Sequence, residues 1–151
     1  MKHVHNLSIR VLCKQIEDSS AFKEALECFL PENASQEGFS LTQEEIRIDQ
    51  GEDLISLELS TDKQRWIKHI LSFLGEHVFT QNLKKLREED DRVDQKGAWY
   101  LRFDKTAFLN DSFELVDHGQ CIHVRFLLAA FPKSRENAIA TKNSLLEHYS
   151  S

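Results

Sequence analysis

Near the start of the chain apolar and polar positions alternate. Leu7, Ile9, Val11 and Cys13 fall to one side, and Asn6, Ser8, Arg10 and Lys14 to the other. A period of two over this length predicts a strand over residues 3–14 with one buried face. The period then changes. Behind Asp18 or Ser19, either of which can cap a helix, Phe22, Ala25, Leu26, Phe29 and Leu30 recur at helical spacing until Pro31 stops the run. Residues 33–43 read as a polar loop around Gly38. Two short strands follow at 44–48 and 54–60, joined by an acidic segment whose Gly51 suits a hairpin turn.

Asp62 is expected to cap a second helix. Its apolar stripe is Trp66, Ile67, Ile70, Leu71 and Leu74, and it ends near Gly75. Residues 79–90 read as a third, more polar helix with Phe79, Leu83 and Leu86 inward. After a turn at 94–97 come strands at 98–104, 113–117 and 121–131, the last two joined across His118-Gly119-Gln120 as a tight hairpin. Pro132 ends the last strand, and Ser134 can cap a terminal helix with Ala138, Ile139, Leu145 and Leu146 inside. The order is β-α-β-β-α-α-β-β-β-α. Short connections between successive strands imply a mostly antiparallel or mixed sheet with helices on one face, a two-layer α+β fold. No repeat and no compositional break divides the chain, so residues 1–151 are expected to form a single domain.

Composition narrows the classes. The 151 residues are 40% apolar and 29% charged, ordinary for a soluble globular chain, with a formal net charge of −6. No apolar run approaches the ~18 residues of a membrane span. The first residues lack the apolar stretch of a signal peptide, so the expected compartment is the cytosol, without a membrane partner. Cys13, Cys28 and Cys121 are an odd number without a C-x-x-C pair, and read as reduced thiols rather than a disulfide framework. An acidic chain is not an indiscriminate polyanion binder, because phosphate affinity is largely electrostatic. Yet the charge is uneven: residues 1–58 hold 5 basic and 12 acidic side chains, and residues 59–151 hold 14 and 13. Between Gln120 and Arg135 lie Arg125, Lys133 and Arg135 and no acid.

Three stretches carry a likeness to known proteins: Arg92 to Ala107, containing Asp94, Gly97, Tyr100, Arg102, Asp104 and Lys105; Ile122-His123-Val124-Arg125-Phe126; and Ala130-Phe131-Pro132-Lys133-Ser134-Arg135-Glu136-Asn137-Ala138. In this order they resemble an archaeal family of predicted RNA-binding proteins or exosome subunits. That family carries a D-x-x-G-x-x-Y-x-R-x-D-K-x-A strand and turn, then an I-x-V-R strand, then an A-(Y/F)-P-x-x-R-E-x-A helix start. The likeness is detailed over residues 92–140 and lies only in element order and length before that. It implies a fold similar to the large-subunit ribosomal protein that contacts five-S RNA, and a role in RNA processing or degradation with exosome proteins as partners.

The residues themselves allow such a role. Alternation along 98–104 puts Trp99, Leu101 and Phe103 in the core and Tyr100, Arg102 and Asp104 on the opposite face, where a ring and a guanidinium can stack on bases or pair with phosphate. Arg125 projects opposite to Val124 and Phe126, and a neighbouring strand would bring it near Arg102. Two adjacent guanidiniums need an anion or a carboxylate between them, and Asp104 is the internal candidate. Lys105, Lys133 and Arg135 add charge at element ends, beside the free N–H groups of the last helix. The expected site is therefore Tyr100 as a stacking ring with Arg102, Lys105, Arg125, Lys133 and Arg135 on the RNA backbone, in a non-catalytic protein without cofactor.

Other chemistries have less behind them. His3 with His5, or Cys121 with His123, share a strand face, but neither pair has a second ligand pair at recognisable spacing. Asp90, Asp91 and Asp94 could hold Mg²⁺ for phosphodiester cleavage, although a charge run before a turn reads more simply as a solvated loop. No catalytic motif such as a Walker loop, G-x-S-x-G or H-E-x-x-H is present. The main alternative is a protein-interaction module or homodimer built on a patch of Phe39, Phe79, Phe108 and Leu109, for which capping the core is the simpler explanation.

Overall fold

A computed structural model of the protein describes residues 2–14, 17–31, 40–47 and 53–150. Its frame is a five-stranded, wholly antiparallel sheet of β1 (Val4–Lys14), β2 (Ser40–Ile46), β3 (Leu54–Thr61), β4 (Ala98–Asp104) and β5 (Cys121–Leu128), in the order β2-β3-β1-β5-β4. The alternation seen in the sequence becomes the two faces of this sheet. Leu7, Ile9, Val11, Leu57, Leu59, Trp99, Leu101, Phe103, Val124 and Phe126 are buried on one face, among side chains of the helices. The fold is α+β, as expected, with nearly the expected order of elements.

Among the described residues five α-helices accompany the sheet: α1 (Ser19–Leu26), α2 (Gln64–Leu74), α3 (Leu83–Glu88), α4 (Lys105–Leu109) and α5 (Arg135–Tyr149). Two starts follow the expected capping chemistry. The Asp18 carboxylate accepts from the N–H groups of Ser20 (2.9 Å) and Ala21 (3.2 Å), and Ser134 Oγ accepts from Asn137 N (3.0 Å). Helix α2 departs from expectation. Lys63, not Asp62, sits at its cap position without a side-chain bond, and Thr61 Oγ1 takes the Lys63 N–H at 3.2 Å.

Gly75 does not stop α2. Its backbone is helical (φ −57°, ψ −47°), and the chain winds on through a five-residue π turn, Gly75–Phe79. Glycine is required there by close approach. A Cβ would fall inside the van der Waals surface of the Tyr149 carbonyl oxygen and 3.0 Å from its carbonyl carbon. The third helix is accordingly shorter than the sequence pattern implies. Thr80 Oγ1 donates to Gly75 O and Asn82 Nδ2 to Val78 O, both at 2.8 Å, closing the π turn before α3 begins. A short 3₁₀ turn, Asp90–Arg92, follows α3.

Two expectations about the C-terminal half are corrected. Residues 113–117 are not a full strand paired with β5. They strap the free edge of β4, with Asp104 N donating to Glu114 O and Val116 N to Arg102 O (both 2.9 Å) around one Phe103–Leu115 bridge. The last strand ends at Leu128 rather than 131, and Phe131 is 95% exposed.

Two aromatic groups fill the core. Trp99 lies between Phe79 and Phe126, with ring centroids 5.8 and 4.7 Å away, and Phe29 packs with Phe73, Phe108 and Phe113. The expected docking patch is thereby corrected too: Phe79 and Phe108 are core residues, Leu109 is 41% exposed, and Phe39 lies outside the described residues. Among the described residues no helix is long and apolar enough to cross a membrane.

Candidate nucleic-acid interface

The second face of the sheet is polar and unevenly charged. Strand register builds it in rows. Thr42, Glu58, Arg10, His123 and Arg102 line up across β2, β3, β1, β5 and β4, and the next row runs Ser60, Ser8, Arg125 and Tyr100. Residues directly opposite on neighbouring strands have Cβ atoms about 4.5–5.5 Å apart, and diagonal neighbours remain within reach of long side chains. Arg102 and Arg125 are such diagonal neighbours, and Arg10 stands two strands from Arg102 with His123 between them. The β2–β3 side of the face carries the acids Glu44 and Glu58. The β1–β5–β4 side carries the cations.

None of Arg10, Arg102 and Arg125 forms an ion pair among the described residues. Arg10 Nε donates to Ser56 Oγ at 3.1 Å and Arg125 Nη1 to Asn6 Oδ1 at 3.4 Å, so neutral partners position both groups while their charge stays available. The carboxylate expected between Arg102 and Arg125 is engaged elsewhere: Asp104 Oδ2 accepts from Ala107 N at 2.9 Å and caps α4.

Two titratable groups register the local field. Burial, then the charges of Arg102 and Arg10, push the His123 imidazole below its ordinary value, so the ring stays neutral between two guanidiniums. At the far end of the second row the Asp94 carboxylate accepts the N–H groups of Lys96 and Ala98, each at 2.9 Å, and the Tyr100 hydroxyl. Burial alone would raise its carboxyl. Those donors and nearby Arg125 more than offset that and hold it below the usual range. Asp94 is thus spent on shaping the turn before β4 and on orienting the Tyr100 ring.

The remaining expected residues separate. Lys105 is not in these rows; it lies buried below them and lines a cavity of this face. Its side chain is 8% exposed, its ammonium donates to Leu12 O and lies 3.0 Å from Glu17 Oε1, and it sits 5.5 Å from the centre of the Phe22 ring. Arg135 is half-buried and holds the 3₁₀ turn, donating from Nε to Val93 O (3.0 Å) and from Nη2 to Asp90 O (2.8 Å). Lys133 is exposed, in the segment after β5 that starts beside Gly97, whose carbonyl accepts from Leu128 N at 3.1 Å. Tyr100, Arg102 and Arg125 therefore come together, and Lys105 and Arg135 serve the fold. The residues that the sequence reading passed over are Arg10 and His123. Both sit on polar positions of alternating strands, and the signal for them was there; only the strand order was missing.

The metal candidates are similarly dispersed. His3 is 3% exposed against the rings of His148 and Tyr149, whereas His5 is exposed, because the β1–β5 register shifts between Val4 and Asn6. Cys121 Sγ and His123 Nε2 contact each other at 3.4 Å. Asp90 pairs at 2.7 Å with the ammonium of Lys142, a fully buried side chain that also donates to Leu86 O and Arg87 O. Among the described residues no three His, Cys, Asp or Glu side chains converge on a metal position.

A family model described as RNA binding matches residues 6–128, which takes in β2 to β5 and all of β1 but its first two residues. The chain belongs to that family. Among its relatives, the "RNA-binding protein PAB1135" of Pyrococcus abyssi is 28% identical over 144 residues, covering 95% of this chain and 94% of the relative. An uncharacterized protein of Methanocaldococcus jannaschii, MJ0213, is 23% identical over 140 residues, covering 90% and 93%. The solved structure of Mth689, a DUF54 protein from Methanothermobacter thermautotrophicus, is 27% identical and superposes with a TM-score of 0.76 over 96% of this chain and 99% of its own. The family match includes Arg10, Tyr100, Arg102, His123 and Arg125; Lys133 and Arg135 lie beyond it.

Proposed function

We propose that this protein is a non-catalytic, single-domain, cytosolic RNA-binding protein that takes a single strand across the open face of β1, β5 and β4. One observation carries the reading: three guanidiniums, Arg10, Arg102 and Arg125, share this face, and among the described residues none forms an ion pair, although Glu58 stands opposite Arg10. They would contact phosphates, and the half-buried Tyr100 ring would stack on a base. Family membership supports RNA as the ligand. Lys133, exposed beyond β5, would extend the contact, and Lys105 and Arg135 would act on stability. A working link to RNA degradation, with exosome proteins as partners, follows from the resemblance; a pull-down with and without RNase tests it.

The decisive experiment is a salt titration of binding to a labelled single-stranded RNA. Three phosphate contacts on a single strand give a slope of log K against log salt of about −2. Charge reversal of Arg102 and Arg125 together is expected to weaken binding at least about tenfold and to flatten that slope by more than one unit. Unchanged affinity and slope would refute the proposal.

A further inference from the structure

Beside the arginine row the open face is indented by a cavity of about 190 Å³. Leu12, Leu54 and Cys121 give it apolar walls; His123, Gln120, Lys14 and the Glu17-paired Lys105 supply its polar ones. His123 belongs to both features, because its ring stands between Arg10 and Arg102 in register and also lines the cavity. The space equals about six waters. It is smaller than the ~300–1,000 Å³ of sites that enclose a drug-sized ligand. The enclosed space is on the scale of a single heterocyclic ring system, with the sugar and phosphate of its nucleotide left outside.

We infer that this cavity is a base slot, which receives one unstacked nucleobase of the single strand whose phosphates lie on Arg10 and Arg102. The inference rests on the RNA reading above and adds to it a site for base recognition. The chemistry matches in each part. Apolar walls suit the faces of a flat ring and repel a phosphate. The Gln120 carboxamide offers both a donor and an acceptor to a base edge, and the His123 imidazole can stack or hydrogen-bond in either protonation state. The Cys121 thiol, kept protonated by burial ahead of any neighbouring charge, adds no repulsion to such a ring. Arg10 and Arg102 sit outside the slot, where the backbone of the same nucleotide would run, whereas Lys14 and Lys105 line it and offer donors to a base carbonyl oxygen.

Fluorescence anisotropy with three labelled 10-mers of equal charge tests this: oligouridylate, oligoadenylate and an abasic ribose-phosphate chain. The wild type should bind at least one base-bearing strand about tenfold more tightly than the abasic one, as expected for one enclosed base. Leu54→Trp, which fills the slot, should remove most of that difference, leaving only what stacking on Tyr100 contributes, and leave abasic binding as it was. Equal wild-type affinity for all three strands, or a preference undiminished in Leu54→Trp, overturns the slot while leaving the RNA reading standing. Failure to bind any strand overturns the RNA reading and the slot with it. Photocrosslinking of a 4-thiouridine strand to the wild-type protein is independent of any variant's folding. Adducts on residues 12–14 or 120–123 support the slot, and adducts confined to other segments overturn it.

Discussion

Lys105→Met separates the cations that hold the fold from those that face the ligand. The substitution keeps the aliphatic stem and removes the ammonium, which is bonded to Leu12 O and Glu17 beneath the surface. Breaking a buried pair by removing one partner costs about 3–5 kcal/mol. Glu17 is 23% exposed and retains the Lys14 N–H at 2.9 Å, so it can partly rehydrate, and the expected loss is nearer 2–3 kcal/mol. At about 2–4 °C per kcal/mol for a chain of this size, Tm falls by roughly 5–10 °C. A pH signature accompanies the loss. Burial tends to raise the Glu17 carboxyl, but the Lys14 N–H and Lys105 outweigh it and hold its folded value below the ordinary one. The stability this contributes is present above pH 4.5 and disappears as pH falls through the lowered value, so the acid limb of the variant's stability curve should be shallower than that of the wild type. Urea unfolding at pH 7 and pH 4 measures both quantities, and affinity for an abasic ribose-phosphate strand, which cannot use the slot that Lys105 lines, should stay within about twofold of wild type below the melting range. A stable variant with affinity for that strand reduced several-fold would refute this account and place Lys105 among the phosphate contacts.

Other perturbations have equally definite outcomes. Gly75→Ala gains about 1 kcal/mol of helix propensity. It also drives a methyl into the Tyr149 carbonyl, an overlap costing about 1–3 kcal/mol or more, so a lower Tm is expected and an unchanged or raised one contradicts the packing described. His123 is held neutral by burial and by Arg102 and Arg10, so the free protein should lose stability as pH falls below about 6.5. Bound phosphates reverse that field. RNA binding should then take up a proton and be several-fold tighter at pH 5.5 than at pH 7.5, with the difference absent in His123→Gln; pH-independent affinity in the wild type would place the phosphates elsewhere.

The two-layer architecture was legible because period two and period 3.6 are separated along this chain by residues with clear roles, such as Asp18, Pro31 and Ser134. What stayed hidden depends on contacts distant in sequence. Gly75 looks like a helix stop until Tyr149 is known to lie against it. Lys105 reads as a surface charge until Glu17, 88 positions away, is seen to neutralise it. Asp104 reads as a partner for arginine, yet a local backbone N–H claims it. Segment 113–117 has a strand's composition, but the partner of β5 on that side is β4 itself. The site was half legible for the same reason. Alternation fixed the outward direction of Tyr100, Arg102 and Arg125. Adding Arg10 and His123 required knowing that β1 and β4 flank β5.

The most direct test is an NMR titration of the labelled protein with single-stranded RNA, read residue by residue. Shift changes are predicted to concentrate at Ser8, Arg10, Tyr100, Arg102, His123 and Arg125, with Thr42 and Glu44 on the same face unmoved. Changes centred on the acidic β2–β3 side, or on the helical layer, would contradict the account.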